Sequence, residues 1–436
     1  MMLRICALML LLACAEPGAA EELVLAGATV HTMAGETLER ADLLITDGVI
    51  TAVGVKVEAT TETVRVDLSG LHLYPALVAL DTSLGLSEIN AVRATLDVSE
   101  VGAITPDVEA WIAVNPDSEL IPVARAGGIA HAEIVPLGGR IPGLSGFISL
   151  DGWTTEEMTV LAPAALHLSW PAMALAVEPP RPGSPARKDW KAPTEQARER
   201  AVQLRELEEV FLQAGAYGRA RAADSERPLV PSWEAMQPAL DGRIPVMVRA
   251  SEIRQIEALL DWARRLRDEE SPMRLIVVGG REAWRVAPAL AELDLPVVFE
   301  HVFTLPVRDS DPDDAQFRAA SRLAAAGVKL AFSGGSGPWA AAEQRNLPFQ
   351  AAQAAAFGLE PEQAVAAITR IPAEILGLGE RLGAIAPGLD ATLIAVAGDL
   401  LDIKAPVTRM WIRGREVSLE SRHTRLHERY RNRPPR

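Results

Sequence analysis

Pro245-Val246-Met247-Val248, an amphipathic run over 253–267, Leu275-Ile276-Val277-Val278, a second helical run over 282–293 and Pro296-Val297-Val298-Phe299 form the stretch that decides the fold. Each short apolar block lacks polar alternation, as expected of a strand buried on both faces. The same rhythm extends outward, with strand-like blocks at 77–80, 130–135 and 328–332 and a helical run over 315–326. Buried strands alternating with amphipathic helices predict parallel β/α architecture. About eight such units over roughly 300 residues fit a closed (β/α)8 TIM-type barrel better than an open sheet. The fold class is therefore α/β, with the barrel assigned to 76–382.

The flanks read differently. Over 23–66, short strands alternate with turns, and Asp47-Gly48 between Leu43-Leu44-Ile45 and Val49-Ile50 is a strong hairpin signal. From residue 382 the pattern turns to β again, with a hairpin around Arg413-Gly414. Residues 21–75 and 383–420 are predicted to join in a small β-sandwich domain built from both chain ends. A helical insertion is expected at about 177–240. Within it, 179–185 is a proline-rich loop and 195–216 a helix with Leu204, Leu207, Val210 and Phe211 on one stripe. Residues 421–436 form a basic tail.

The chain has 436 residues, 49% hydrophobic and 23% charged, which is enough apolar material for a large core. Its 43 Lys and Arg against 58 Asp and Glu give a formal charge of -15, which argues against a nucleic-acid partner. Its two cysteines, Cys6 and Cys14, both lie in the opening segment, so no disulfide scaffold or thiolate metal cluster is expected. Arg4, an apolar run over 5–13 and small residues at Gly18 and Ala20 read as a signal peptide over 1–20, implying export to the periplasm. Leu11-Leu12-Ala13-Cys14 resembles a lipobox, a second route in which Cys14 carries a lipid anchor; Leu12 is bulky for that motif, which favours cleavage after Ala20. The apolar run is shorter than the ~20 residues a membrane span takes.

Asp47-Gly48-Val49-Ile50-Thr51-Ala52-Val53-Gly54, Val66-Asp67-Leu68-Ser69-Gly70 and Tyr74-Pro75-Ala76-Leu77-Val78 precede the barrel in that order. Ile371-Pro372-Ala373-Glu374-Ile375-Leu376-Gly377, the run 383–391 and Trp411-Ile412-Arg413-Gly414-Arg415-Glu416-Val417 close it. Together these motifs resemble the amidohydrolase superfamily, in particular its imidazolonepropionase-like periplasmic members. The resemblance covers nearly everything after the signal. It implies a metal-bearing (β/α)8 barrel flanked by a β-sandwich that hydrolyses carbon–nitrogen bonds other than peptide bonds. One or two divalent ions would activate water, held by neutral imidazoles and carboxylates at the strand ends.

The ligand positions that this resemblance locates hold other residues. The His-any-His motif reads Asp81-Thr82-Ser83, and serine is a poor zinc ligand. Arg249 stands where the fifth strand should offer a histidine, and arginine cannot deprotonate to bind a metal. The sixth strand runs into Gly279, and Gly335 stands in place of the acid after the eighth. The expectation is a divergent member with degenerate positions Asp81, Ser83, Arg249, Gly279 and Gly335, with no metal and no cofactor. Of seven histidines, His131, His167 and His301 fall within the barrel. His131 and His167 lie in core-like runs and read as satisfied core histidines. Glu300 and His301 follow a strand and are the candidate catalytic residues at the barrel mouth, a hydrogen-bonded strand-end histidine being the plainer alternative for His301. Arg249 and Asp81 are expected either to pair in a bidentate contact that replaces the metal charge or, if Arg249 points to solvent, to stay apart.

Three functions remain open on these residues. The first is a periplasmic binding or partner protein that has lost metal-dependent catalysis. It would take a small polar ligand in the barrel mouth, and act as a homo-oligomer or paired with an active homologue. The second is an active hydrolase with a rebuilt site using His301, Glu300 and Asp81, for which acid–base chemistry alone supplies roughly 10²–10⁴-fold. The third is a purely structural envelope protein.

Overall fold

The computed structural model describes residues 22–434 except 62, 182, 184, 185 and 187, so the signal segment 1–20 and Cys14 lie outside the described residues. The chain opens with β1 (Glu22–Val30), β2 (Leu38–Thr46), β3 (Val49–Gly54), β4 (Val64–Asp67) and β5 (His72–Pro75). Asp47 and Gly48, both at positive φ, make the two-residue turn between β2 and β3. The barrel strands follow as β6 (Leu77–Thr82), β7 (Ile129–Ile134), β8 (Gly143–Ser149) and β9 (Thr159–Ser169), then β10 (Val246–Ala250), β11 (Leu275–Gly279), β12 (Val297–Phe299) and β13 (Leu330–Phe332). The last three, β14 (Leu393–Val396), β15 (Val407–Ile412) and β16 (Arg415–Val417), return to the first group. Strands from both chain ends thus share one eight-stranded sheet, ordered β16-β15-β14-β5-β1-β2-β3 with β4 on β1. Leu25, Leu43, Leu73, Leu393 and Trp411 form its buried face.

Strands β6 to β13 pair in chain order around a nearly closed barrel. The all-parallel expectation needs correction, because β8 is antiparallel to both β7 and β9. A parallel crossover takes a dozen or more residues, and the connection 135–142 between β7 and β8 is a hairpin loop. Gly146, in the middle of β8, has no room for a side chain, since a Cβ there would stand 2.5 Å from Trp111. The seam between β13 and β6 is bridged by main chain: Phe332 N–H donates to Ala367 O at 3.0 Å and Val78 N–H to Ile368 O at 2.9 Å.

The lumen is solid. Leu80, Phe147, Met247, Ile276, Val278 and Val298 fill it, with Ile375, Leu378 and Leu382 packed at the strands' starting ends. Each fully buried side chain of this kind contributes about 1.5–3 kcal/mol. Outside, the helix Ile253–Asp268 buries Ile256, Leu259, Leu260 and Ala263 and starts with a Glu252–Gln255 capping box. The run 282–293 divides into a 3-10 turn, Ala283–Val286, and a helix, Ala287–Glu292, with Pro288 in its first turn. The insertion carries the helix Pro193–Ala223, which buries Leu207, Val210, Phe211 and Ala214 and leaves Leu204 half-buried. The basic tail forms the helix Arg422–Arg431, capped by Ser421. Among the described residues, no helix is long and apolar enough to cross a membrane.

Candidate functional site at the barrel mouth

Side chains two apart on a strand share a face. Met247 points into the lumen, so Arg249 stands above it; Val298 likewise sets Glu300, and Ala165 sets His167. Asp81 breaks the rule. Val78 and Leu80 face inward, which would send Asp81 outward. Its positive φ of 54° and a register shift between Ala79 and Thr82 turn the carboxylate into the lumen instead.

Arg249 organises the mouth. Its Nη2 donates to Asp81 Oδ1 at 2.6 Å, to Oδ2 at 2.7 Å and to Ser336 Oγ at 2.8 Å, while Nη1 donates to Glu300 Oε1 at 2.7 Å. Asp81 and Arg249 converge as one of the two sequence alternatives held, but the fork is divided between two carboxylates rather than matched to one. Below, Asp81 N–H donates to Glu133 Oε2 at 3.0 Å, Ser145 Oγ donates to Glu133 Oε1 at 2.7 Å, and His167 Nε2 lies 3.3 Å from that oxygen. Sequence reasoning missed Glu133, which is fully buried. The available signal was a lone acid inside Ala132-Glu133-Ile134-Val135, since a carboxylate enters a core only with partners.

The charges are set by this packing. Burial pushes the Asp81 carboxyl up, but the Arg249 charge and hydrogen bonds from Glu300 and Arg249 outweigh it, and the net shift is downward. Glu300 moves the other way. Burial and the Asp81 charge push it up to about 8, against the pull of Arg249. The two carboxyls also hydrogen-bond to each other. At neutral pH the shared proton therefore sits on Glu300, and Asp81 and Arg249 balance as one negative and one positive charge.

The other predicted positions do not join the cluster as ligands. Ser83 is buried, but its Oγ donates to Gly337 O at 3.2 Å. Gly279 ends its strand at φ 92°, and a Cβ there would come within 2.4 Å of Ser251 Oγ. Gly335 has φ 81°, and its Cβ would stand 3.5 Å from Glu300 Oε2. His301 packs edge-on against Phe299, and its Nε2 is buried with no partner among the described residues. Burial, Arg281 and Arg249 lower its pKa to about 4, so it is neutral at pH 7. No described hydrogen bond links it to Glu300. His167 is hydrogen-bonded, but His131 is not the satisfied histidine the sequence implied. It stacks on Phe147 at 5.3 Å with its Nδ1 unpartnered.

The donors at the mouth do not fit a divalent ion. A guanidinium already occupies the space between Asp81 and Glu300, Ser83 is engaged elsewhere, and Gly279 and Gly335 offer no side-chain atom. Among the described residues, no three His, Cys, Asp or Glu side chains converge as a metal site. What the mouth does offer is a cavity of about 120 Å³ lined by His167, Ser169 and Arg249 under the loop from Pro136 to Pro142. Its polar groups suit hydrogen bonding to a compact polar molecule.

Comparison with known proteins places this architecture. Residues 313–417 match the model of the amidohydrolase family. Amidohydrolase tasK of Hapsidospora irregularis is 24% identical over 412 residues, which is 86% of this chain and 39% of that relative, so the chain spans well under half the relative's length. An amidohydrolase structure from Thermotoga maritima superposes with a TM-score of 0.76 at 24% identity, covering 91% of this chain and 99% of its own. An adenosine deaminase from Xanthomonas campestris, solved with bound zinc, gives 0.51 at 17%, covering 94% and 97%. These structural likenesses are likenesses of fold. Residues 313–417 carry the match to the family model, and the nearly closed barrel and second sheet resemble the TIM-type fold of these amidohydrolase structures. The matched segment includes Gly335, whereas Asp81, Arg249 and Glu300 precede it.

Proposed function

We propose that this chain is a divergent, exported amidohydrolase-fold protein of the imidazolonepropionase-like kind that has lost metal-dependent hydrolysis and binds a small polar ligand at the barrel mouth. One observation carries the reading: the guanidinium of Arg249 lies between Asp81 and Glu300, balances the Asp81 charge and fills the space a divalent cation would need. Amide hydrolysis needs an activated water and a stabilised oxyanion. Here the groups that could activate water are hydrogen-bonded to one another. Arg249 Nε, Ser169 and His167 are the groups left to hold a ligand, and the cavity of about 120 Å³ limits its size. Such a protein acts as a homo-oligomer or beside an active homologue.

The test is metal analysis of the purified full chain. We expect no stoichiometric divalent ion and a melting temperature unchanged by chelator. Stoichiometric zinc together with chelator-sensitive amide hydrolysis would overturn the proposal. A second reading, a rebuilt hydrolase using His301, Glu300 and Asp81, draws on Glu300, which keeps its proton to about pH 8 as a general acid would. Chelator-resistant turnover abolished by Glu300→Gln would favour it.

A further inference from the structure

A second polar cavity, of about 520 Å³, lies at the other end of the barrel, between the strand starts and the second sheet. Its four acids, Asp47, Asp151, Glu157 and Asp390, all have partners. Asp390 pairs with Arg381 at 2.9 Å, Asp151 pairs with Arg415 and Arg125, and Glu157 accepts the Trp153 N–H at 2.9 Å. Arg413 also lines this cavity, and its guanidinium makes no ion pair or hydrogen bond with any described residue. Two features make that more than a loose surface arginine.

The first is backbone conformation. Arg413 and Gly414 form the turn between β15 and β16 at φ 48° and 74°, a left-handed geometry that Gly, Asn and Asp adopt far more readily than Arg. This turn is pressed against the Asp47-Gly48 turn, where a Cβ on Gly48 would stand 2.6 Å from Arg413 O. The abutting turns fix the point from which the guanidinium projects. The second feature is His131, which lines the same cavity, is only 4% exposed and has its Nδ1 buried without a partner among the described residues. Burial and the nearby Arg381 charge lower its pKa to about 3, so the ring is neutral and keeps one N–H to donate. A buried ring nitrogen without a partner points to a group that is absent here.

We propose that this cavity is a binding site for a small oxyanion, a carboxylate or phosphate, held by Arg413 and Arg381 with His131 as the neutral hydrogen-bond donor. Arg413 supplies uncommitted positive charge, and Arg381, already shared with Asp390, adds a second set of donors. The site is separate from the barrel mouth, so the proposal stands or falls independently of any function assigned there.

The experiment is titration calorimetry of the full chain at pH 7 with sodium phosphate and, in a second arm, sodium succinate. His131 ring ¹⁵N shifts are followed by NMR. We expect one saturable site for at least one anion, with Kd of about 1 mM or tighter and a moving His131 resonance. The stronger arm identifies phosphate or carboxylate as the ligand chemistry. Arg413→Asn should weaken binding about tenfold or more, as loss of charge-assisted hydrogen bonds does. It should leave the melting temperature intact, because Asn accepts the left-handed turn. Failure of both anions to saturate, or affinity unchanged in both Arg413→Asn and Arg381→Gln, overturns the proposal.

Discussion

Arg249 and Arg413 lie at opposite ends of one frame and meet opposite surroundings. At the mouth, Arg249 donates to Asp81, Glu300 and Ser336. At the base, Arg413 meets no described partner, although its turn is held in a costly conformation. A guanidinium whose strong bonds are already made acts as part of the frame, and removing it leaves buried charge behind. One without partners contributes little to stability and keeps its donors for something else. The same residue type is thus structural at one end and receptive at the other.

The largest test of this contrast is Arg249→Met. It strands the fully buried Asp81 carboxylate, so urea denaturation at pH 7 should show a loss of ~3–5 kcal/mol. Arg413→Met should move stability by under ~0.5 kcal/mol. Comparable losses in the two variants would break the contrast.

Next comes pH. Glu300 rises from 4.5 to about 8 on folding, so its contribution to stability is fully present below pH 4.5 and is lost as pH climbs through 8. Asp81 is lowered from 3.8, so its contribution is present above that value and is lost as pH falls through the lower folded pKa. Between pH 5 and 9, then, Glu300 titrates. Glu300→Gln should remove the decline in urea midpoint over that window, worth ~2–4 kcal/mol. An unchanged pH profile would detach Glu300 from the cluster.

Gly279→Ala should cost ~1–3 kcal/mol, because a Cβ at φ 92° meets Ser251 Oγ. Ser251→Ala in the same chain should recover the part due to that contact, again read by urea midpoint. The smallest expected effect is Ser336→Ala, ~1 kcal/mol for one hydrogen bond to Arg249. A larger loss would mean that Ser336 does more than accept that bond.

Much of the frame was legible because buried strands and amphipathic helices write distinct periodicities. The blocks around Val246, Ile276 and Val297 announce their strands, and the stripe from Leu207 to Phe211 announces the inserted helix. Gly143–Ser149 was not legible, since its glycines answer to the neighbouring Trp111 and Val108 rather than to strand propensity. At the site, the family resemblance drew attention to Asp81 and Arg249 as unusual residues at expected ligand positions. They could not tell that a bulge would turn Asp81 inward, because a register shift is a property of two strands. Glu133 was readable in principle as a lone acid in an apolar run. Neither His131 without a partner nor His301 apart from Glu300 could be seen without the fold.

The antiparallel β8 has a consequence for how this mouth can change. Its connection to β7, residues 135–142, roofs the small cavity beside Arg249. No helix hangs from that connection, and exposed hairpin tips accept insertions and exchanges with little cost to the parts they join. A change in the length or chemistry of this loop would therefore reshape the ceiling of that cavity while the barrel strands stay in place.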